Sequence, residues 1–279
     1  MLLTLTLALC AASYGAAVGA LVPRAAYRFA VARGQSRPDR CPAGHPLPGS
    51  WRGWAGPARC VRCAGGESST DTYAHAHADR SKGVTDADAD HRAAADTTAY
   101  GPHALPLALS GAAVCAALAA TLGPRPELAV WLLITPFGLL LAAVDIRVRR
   151  LPDVLTLPLA AVTPALLGLA SNLQGADGSW VRALLGEFAL AGAFFVLFLV
   201  HPRGFGFGDV KLALTPGVAL GWYGWQPVLA GAFLGFLLFA AYGAVLILAG
   251  RAGRKTALPF GPFLLLGAVL GVLSAGADA

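Results

Sequence analysis

Charge is what this chain has least of. Of 279 residues only 13% are Asp, Glu, Lys or Arg, against 56% that are hydrophobic. Soluble globular domains carry about 25% charged residues, so that class is excluded, and the composition is that of a polytopic membrane protein. The net charge of +6 comes without a basic surface interleaved with aromatics, which removes nucleic acid as a partner. The first apolar run has no cation before it. The charged n-region of a cleaved signal peptide is therefore missing, and the run is expected to remain as a span. Cysteine is sparse as well, at five residues. Cys10 and Cys115 lie inside apolar runs and read as small packing residues, while the other three crowd into one polar stretch.

What is abundant is apolar sequence in long runs. Segments approaching the ~20 residues a bilayer requires recur at 2–22, 105–122, 128–144, 154–173, 183–200, 212–225, 227–249 and 258–273. The expected fold class is all-α: a polytopic membrane bundle of about eight transmembrane helices, with a cytoplasmic loop region after the first. The sixth run is short and holds Pro216 and Gly217. Pro158, Pro164 and Pro216 imply kinks, which neighbouring helices make tolerable by satisfying the freed backbone groups. No internal repeat is visible beyond the alternation of spans.

The cations orient the bundle. Outside the long polar loop they are Arg125, Arg147, Arg149, Arg150, Arg182, Arg203, Lys211, Arg251, Arg254 and Lys255. With eight spans, all but Arg125 and Arg182 fall in alternate connections on one side. The positive-inside rule makes that side cytoplasmic and leaves both termini outside. The expected organisation is a first helix over 1–22, a Cys-containing cytoplasmic region over 23–66, an Asp/His-rich linker over 67–103 and a seven-span bundle over 104–279. The linker has almost no large apolar residues and is expected to be disordered. Its His75, His77 and His91 among aspartates read as solvated polar sequence rather than as a metal site.

Two stretches set an aspartate where an apolar run meets cations. Asp145 closes the third run, and Arg147, Arg149 and Arg150 follow before Leu151-Pro152-Asp153 leads into the fourth. Asp209 precedes the sixth run, behind Gly204, Gly206 and Gly208 and ahead of Lys211. The eight-span topology brings both to the cation-rich side. An ionisable group at a membrane boundary is costly to keep and is a functional-site candidate. Two carboxylates on one face suggest an acid/base pair that activates water, an aspartic protease within a bilayer. Gly206 and Gly208 would let backbone or a bound peptide approach closely and permit unusual dihedrals. The plainer alternative pairs Asp145 with Arg149 and leaves Asp209 as a helix cap.

Three motifs in order carry a resemblance: Asp145-Ile-Arg-Val-Arg-Arg-Leu-Pro-Asp-Val-Leu-Thr, Gly206-Phe-Gly-Asp209-Val-Lys-Leu, and Pro259-Phe-Gly-Pro262 after Arg254-Lys255. Together, over about 126–273, they resemble the type IV prepilin peptidases. The resemblance implies an eight-span aspartic endopeptidase in the cell membrane, with Asp145 and Asp209 as the catalytic pair at the cytoplasmic face. Gly206, Gly208, Lys211 and Arg149 stand as substrate- or backbone-positioning candidates. It implies cleavage of short cationic leaders from pilin-like or pseudopilin precursors, with no cofactor needed for proteolysis.

The N-terminal third matches less well. Members open with Ser-Phe-x-Asn before Arg-Leu-Pro; here Ser13-Tyr14-Gly15-Ala16 leads to Val22-Pro23-Arg24. Members carry two Cys-x-x-Cys pairs; here Cys60-Val-Arg-Cys63 is intact, but the first reads Cys41-Pro-Ala-Gly44-His45. The tract that usually follows is replaced by the linker. In relatives this region accompanies N-methylation with S-adenosylmethionine, and these departures speak against that second activity. Cys41, His45, Cys60 and Cys63 still form a candidate structural zinc set, and a disulfide is disfavoured in a cytoplasmic loop. The alternative, idle thiols of a decayed site, rests on His45 lying one residue off its expected place. Two rival functions stand beside the protease: a transporter using the aspartates as ion sites, and a non-catalytic component of a pilus or secretion assembly.

Overall fold

The computed structural model describes residues 2–31, 35–47, 53–64, 99–202, 204–251, 253, 256 and 258–277. Among these, nine helices follow in order: α1 Leu2–Phe29, the short α2 Val61–Ala64, α3 Ala104–Leu122, α4 Pro126–Val148, α5 Asp153–Ala170, α6 Trp180–Val200, α7 Phe207–Tyr223, α8 Trp225–Leu248 and α9 Gly261–Ala277. Every apolar run of the sequence coincides with one of these helices. Six of them, α1, α3, α4, α5, α6 and α8, are long and apolar enough to cross a membrane. At 17 residues each, α7 and α9 are shorter.

The boundaries differ from the expected runs at two informative places. α1 does not end at Val22 but continues through Pro23 to Phe29. Beyond the apolar run its helical backbone is held by polar partners: Arg24 N–H donates to Gly56 O at 3.1 Å, and Arg24 Nε donates to Pro57 O at 3.0 Å. α7 begins at Phe207, ahead of the apolar run that starts at Leu212, because Gly206 and Asp209 form a capping box at its first turn. Most of the Asp/His-rich stretch, Trp51, Arg203, Arg254 and Lys255 lie outside the described residues. The last residues of that stretch are described. Ala99 bridges Arg59, and Tyr100 is buried beside Cys41 and Cys60, so this end of the expected linker belongs to the Cys region.

Small residues set the tightest helix pairs, as is usual where lipid offers no hydrophobic drive between helices. A Cβ on Gly15 of α1 would overlap the Gly111 carbonyl of α3, and one on Gly217 of α7 would lie 2.8 Å from the Glu187 Cα of α6. α8 packs on α9 in the same way, through Gly231, Gly235 and Gly267. α7 is the most enclosed helix, buried from Val210 to Trp222. One end of the bundle is closed by the Arg125–Asp177 ion pair at 3.0 Å and by Trp131 Nε1 donating to Tyr223 Oη at 2.9 Å. The chain alternates direction, so the C-termini of α1, α4, α6 and α8 meet the N-termini of α3, α5, α7 and α9 at the opposite end. The motif residues collect there.

Candidate active site

Asp145 lies near the C-terminus of α4 yet is only 4% exposed. Its Oδ2 accepts a hydrogen bond at 2.9 Å from the backbone N–H of Gly261, the first residue of α9. First-turn N–H groups have no partner within their own helix, and the helix dipole favours an anion there. Asp145 therefore supplies α9 with a cap from another helix. The fit is close. A Cβ on Gly261 would stand 2.8 Å from Asp145 Oδ2 and 3.2 Å from Leu212 Cδ2.

Asp209 is the third residue of α7. Its Oδ2 accepts from Gly206 N–H at 3.1 Å, while its own N–H donates to Gly206 O at 3.0 Å. The capping role offered as the plainer alternative for Asp209 is thus present in the fold. Leu212, one turn beyond Asp209, lies on the far side of Gly261 from Asp145, and the charge of Asp145 acts on Asp209. The start of α9 is therefore the element that joins the two aspartates.

The other motif residues divide. Lys211 Nζ pairs with Asp153 Oδ1 at 2.7 Å and sits 5.0 Å from the centre of the Phe207 ring, which ties the start of α7 to the start of α5. Arg149 ends α4 in a left-handed conformation, φ 51 and ψ 42, with its N–H on Asp145 O at 2.8 Å. A non-glycine residue in that region is uncommon, and here it turns the chain out of α4 toward Leu151. The unusual dihedrals expected of Gly206 and Gly208 are absent. Gly206 has φ −80, and neither is among the positive-φ glycines. A Cβ on Gly208 would meet Leu151 at an ordinary 3.6 Å. The tight glycine is Gly261, which the sequence reading quoted within Pro259-Phe-Gly-Pro262 without a role.

Beside Asp145 a cavity of about 350 Å³ opens between α3, α4, α7 and α9, with Ala142, Ala143 and Ile146 on one wall and Pro262 and Leu265 on another. Its lining is apolar except for hydroxyls such as Ser110, Thr135 and Thr215. Two buried carboxylates that the motifs did not flag lie elsewhere, Glu187 in α6 and Glu127 at the opposite end of α4.

The Cys region docks on the end of α1 that faces the site. Tyr27 Oη donates to Arg40 O at 3.1 Å, and Arg147 Nη1, two residues past Asp145, reaches Tyr100 O at 3.5 Å. Within it the ligand atoms of Cys41, His45, Cys60 and Cys63 all lie within 4.8 Å of one another. In a tetrahedral site with Zn–S ~2.3 Å and Zn–N ~2.0 Å, sulfurs stand about 3.8 Å apart and sulfur and nitrogen about 3.5 Å. Cys41 Sγ and Cys63 Sγ are 3.8 Å apart, and His45 Nδ1 lies 3.6, 3.7 and 3.2 Å from the sulfurs of Cys41, Cys60 and Cys63. The extra residue before His45 is absorbed by Gly44 at φ +84, closing a turn in which Cys41 N–H donates to His45 O at 2.9 Å. Burial and the neighbouring Cys60 and Cys41 sulfurs push the Cys63 thiol up to about 12, a crowding that a bound cation would relieve. The donor set fits zinc.

Comparison with known proteins agrees with the motifs. The profile of the Type IV leader peptidase family matches residues 132–250. A protein of Burkholderia pseudomallei strain 1026b named prepilin leader peptidase/N-methyltransferase is 36% identical over 136 residues, covering 46% of this chain and 41% of that protein. Proteins of the same name from Pectobacterium carotovorum and Escherichia coli K12 are 37% and 32% identical, covering 57% and 56% of this chain and 57% and 69% of their own length. Against the first of these relatives the chain spans about half of their length or less. No solved structure matches. With motifs, profile and relatives in agreement, the chain belongs to the type IV leader peptidase family.

Proposed function

We propose that this chain is an integral-membrane aspartic endopeptidase that removes short cationic leaders from pilin-like or pseudopilin precursors. Cleavage occurs at the cytoplasmic face of the cell membrane, with both termini outside. One carboxylate of the Asp145/Asp209 pair takes a proton from water, the water oxygen attacks the scissile carbonyl carbon, and the other carboxyl protonates the substrate. The observation that carries this reading is the shared support of the pair: each carboxylate accepts a backbone N–H, from Gly261 and from Gly206, at one end of the bundle. The apolar cavity beside Asp145 suits a substrate that stays in the bilayer while it is cut. Cys41, His45, Cys60 and Cys63 hold one structural zinc, which braces the loop region and takes no part in the cleavage chemistry. N-methylation is left out of the reading because Ala16 and the 67–103 stretch depart from the family pattern. A transporter would want carboxylates at the membrane midplane, whereas Asp145 and Asp209 lie at helix ends.

The test is direct. Detergent-purified protein is incubated with a synthetic leader-bearing pilin peptide, and the products are read by mass spectrometry. A single cut after the leader supports the proposal; an intact peptide under conditions where a known prepilin peptidase cuts it rejects it.

A further inference from the structure

The two amides that hold the aspartates share a feature that no motif states. Each N–H belongs to a peptide unit whose other half is a phenylalanine: Phe205-Gly206 delivers the bond to Asp209, and Phe260-Gly261 delivers the bond to Asp145. The six atoms of a peptide unit lie in one plane. Glycine on the far side of that plane has no side chain to fix it and little torsional resistance. The orientation of each donor must therefore be set from the phenylalanine side.

Both rings go to one place. Phe205, in the short loop between α6 and α7, stands edge-on to Phe260 at 6.3 Å between centroids and 76° between planes. Phe260 is 7% exposed, and Phe236 of α8 bridges the pair at 6.0 Å from Phe205 and 5.0 Å from Phe260. Phe194 of α6 closes the cluster at 6.4 and 5.6 Å. Edge-to-face pairs in this range attract beyond simple burial. The loop that carries Gly206 and the turn that carries Gly261 come from opposite ends of the α7–α8 segment in sequence, and this ring contact joins them.

We infer that the Phe205–Phe260 contact is a positioning clamp that sets where the two aspartates stand relative to each other. It rests on the catalytic reading of Asp145 and Asp209. Phe205 and Phe260 touch no reacting atom; they act through the peptide planes of Gly206 and Gly261. The third Phe-Gly step, Phe207-Gly208, is outside the clamp, for Phe207 packs on Phe198 at 5.6 Å and under Lys211.

The experiment uses full-length protein in detergent with the leader-bearing peptide, measuring kcat, KM and thermal unfolding for Phe205→Ala, Phe260→Leu, the double variant and Phe263→Ala. Phe263 is half-buried and stacks near Phe239 and Tyr242 without preceding either donor amide, so it controls for lost aromatic packing. A displacement near ~1 Å costs on the order of 100-fold in rate. Phe205→Ala and Phe260→Leu are each expected to lower kcat by roughly 10- to 100-fold with KM within about two-fold. The double variant should be little slower than the poorer single one, because one contact is lost only once. Phe263→Ala should keep kcat within about three-fold of the unmodified protein. The clamp is overturned if the effect falls on KM alone, if the two single effects multiply, or if Phe263→Ala slows turnover as much as Phe205→Ala. Should Phe260→Leu not fold, the comparison of Phe205→Ala with Phe263→Ala decides alone. Normal cleavage by Asp145→Asn in the same assay would instead mark the catalytic reading as the failure.

Discussion

Replacing Gly261 by alanine isolates the one backbone position where the site has no room. The new Cβ would lie 2.8 Å from Asp145 Oδ2 and 3.2 Å from Leu212 Cδ2, whereas carbon–oxygen contacts settle near ~3.3–3.6 Å. Something must move by about half an ångström, and the candidates are the Asp145 carboxylate, Leu212 or the start of α9. Overpacking of this kind costs about 1–3 kcal/mol of stability. If ~1 Å of misplacement costs ~100-fold in rate, half of that predicts roughly a ten-fold fall in kcat. Gly208→Ala is the matched contrast, because its Cβ meets Leu151 at a comfortable 3.6 Å. It should leave the melting temperature unchanged or slightly raised through the unfolded state. Any loss of turnover in that variant then reports the approach of the substrate, since the backbone there is relaxed. Turnover of a leader-bearing peptide and thermal unfolding, measured on the same preparations, separate the cases. Gly261→Ala with unmodified turnover and stability would refute the argument that this glycine spaces Asp145 from α7.

Three further outcomes follow from other parts of the molecule. One zinc per chain should co-purify and be lost in Cys60→Ser/Cys63→Ser; elemental analysis finding no metal in protein purified without chelator would favour idle thiols. Shortening the segment 67–98 should leave cleavage intact, because its sequence has neither a core nor motif residues, and a deletion that keeps expression yet ends cleavage would contradict this. Lys211→Met should lower stability by only about 0.2–1 kcal/mol in a thermal melt, since its partner Asp153 is 58% exposed; Asp153→Asn should match it, and a much larger loss for Lys211→Met alone would point to a role beyond the pair.

The helices were readable because a membrane span is a one-dimensional signal: length and apolarity place α1, α3, α4, α5, α6 and α8 without knowledge of their neighbours. α7 was legible only in part. Its start is set by a cap closed between Gly206 and Asp209, and a hydropathy run does not register a cap. Asp145 and Asp209 stood out because carboxylates are rare in such sequence, and the positive-inside rule put them on one side. What holds them did not stand out. The Gly261–Asp145 bond joins residues 116 apart, and backbone donors carry no side-chain signature. Gly206 and Gly208 drew notice for a freedom they do not use, while Gly261 was treated as part of a motif. His45 looked misplaced by one residue because spacing alone cannot foresee the left-handed turn at Gly44. Tyr100 was grouped with polar linker, although its ring packs on Tyr27 at 4.7 Å and so closes the Cys region.

The central claim is that Asp145 and Asp209 are one acid/base pair. It is tested most directly by initial rates of leader-peptide cleavage for Asp145→Asn and Asp209→Asn, each checked for membrane insertion and normal melting. Asparagine keeps the shape and accepts the same backbone N–H, yet cannot exchange the proton. The account predicts a loss of roughly 10²- to 10⁴-fold in each variant, with the double variant no slower than the worse single one. Near-normal cleavage by either well-folded variant would contradict the claim.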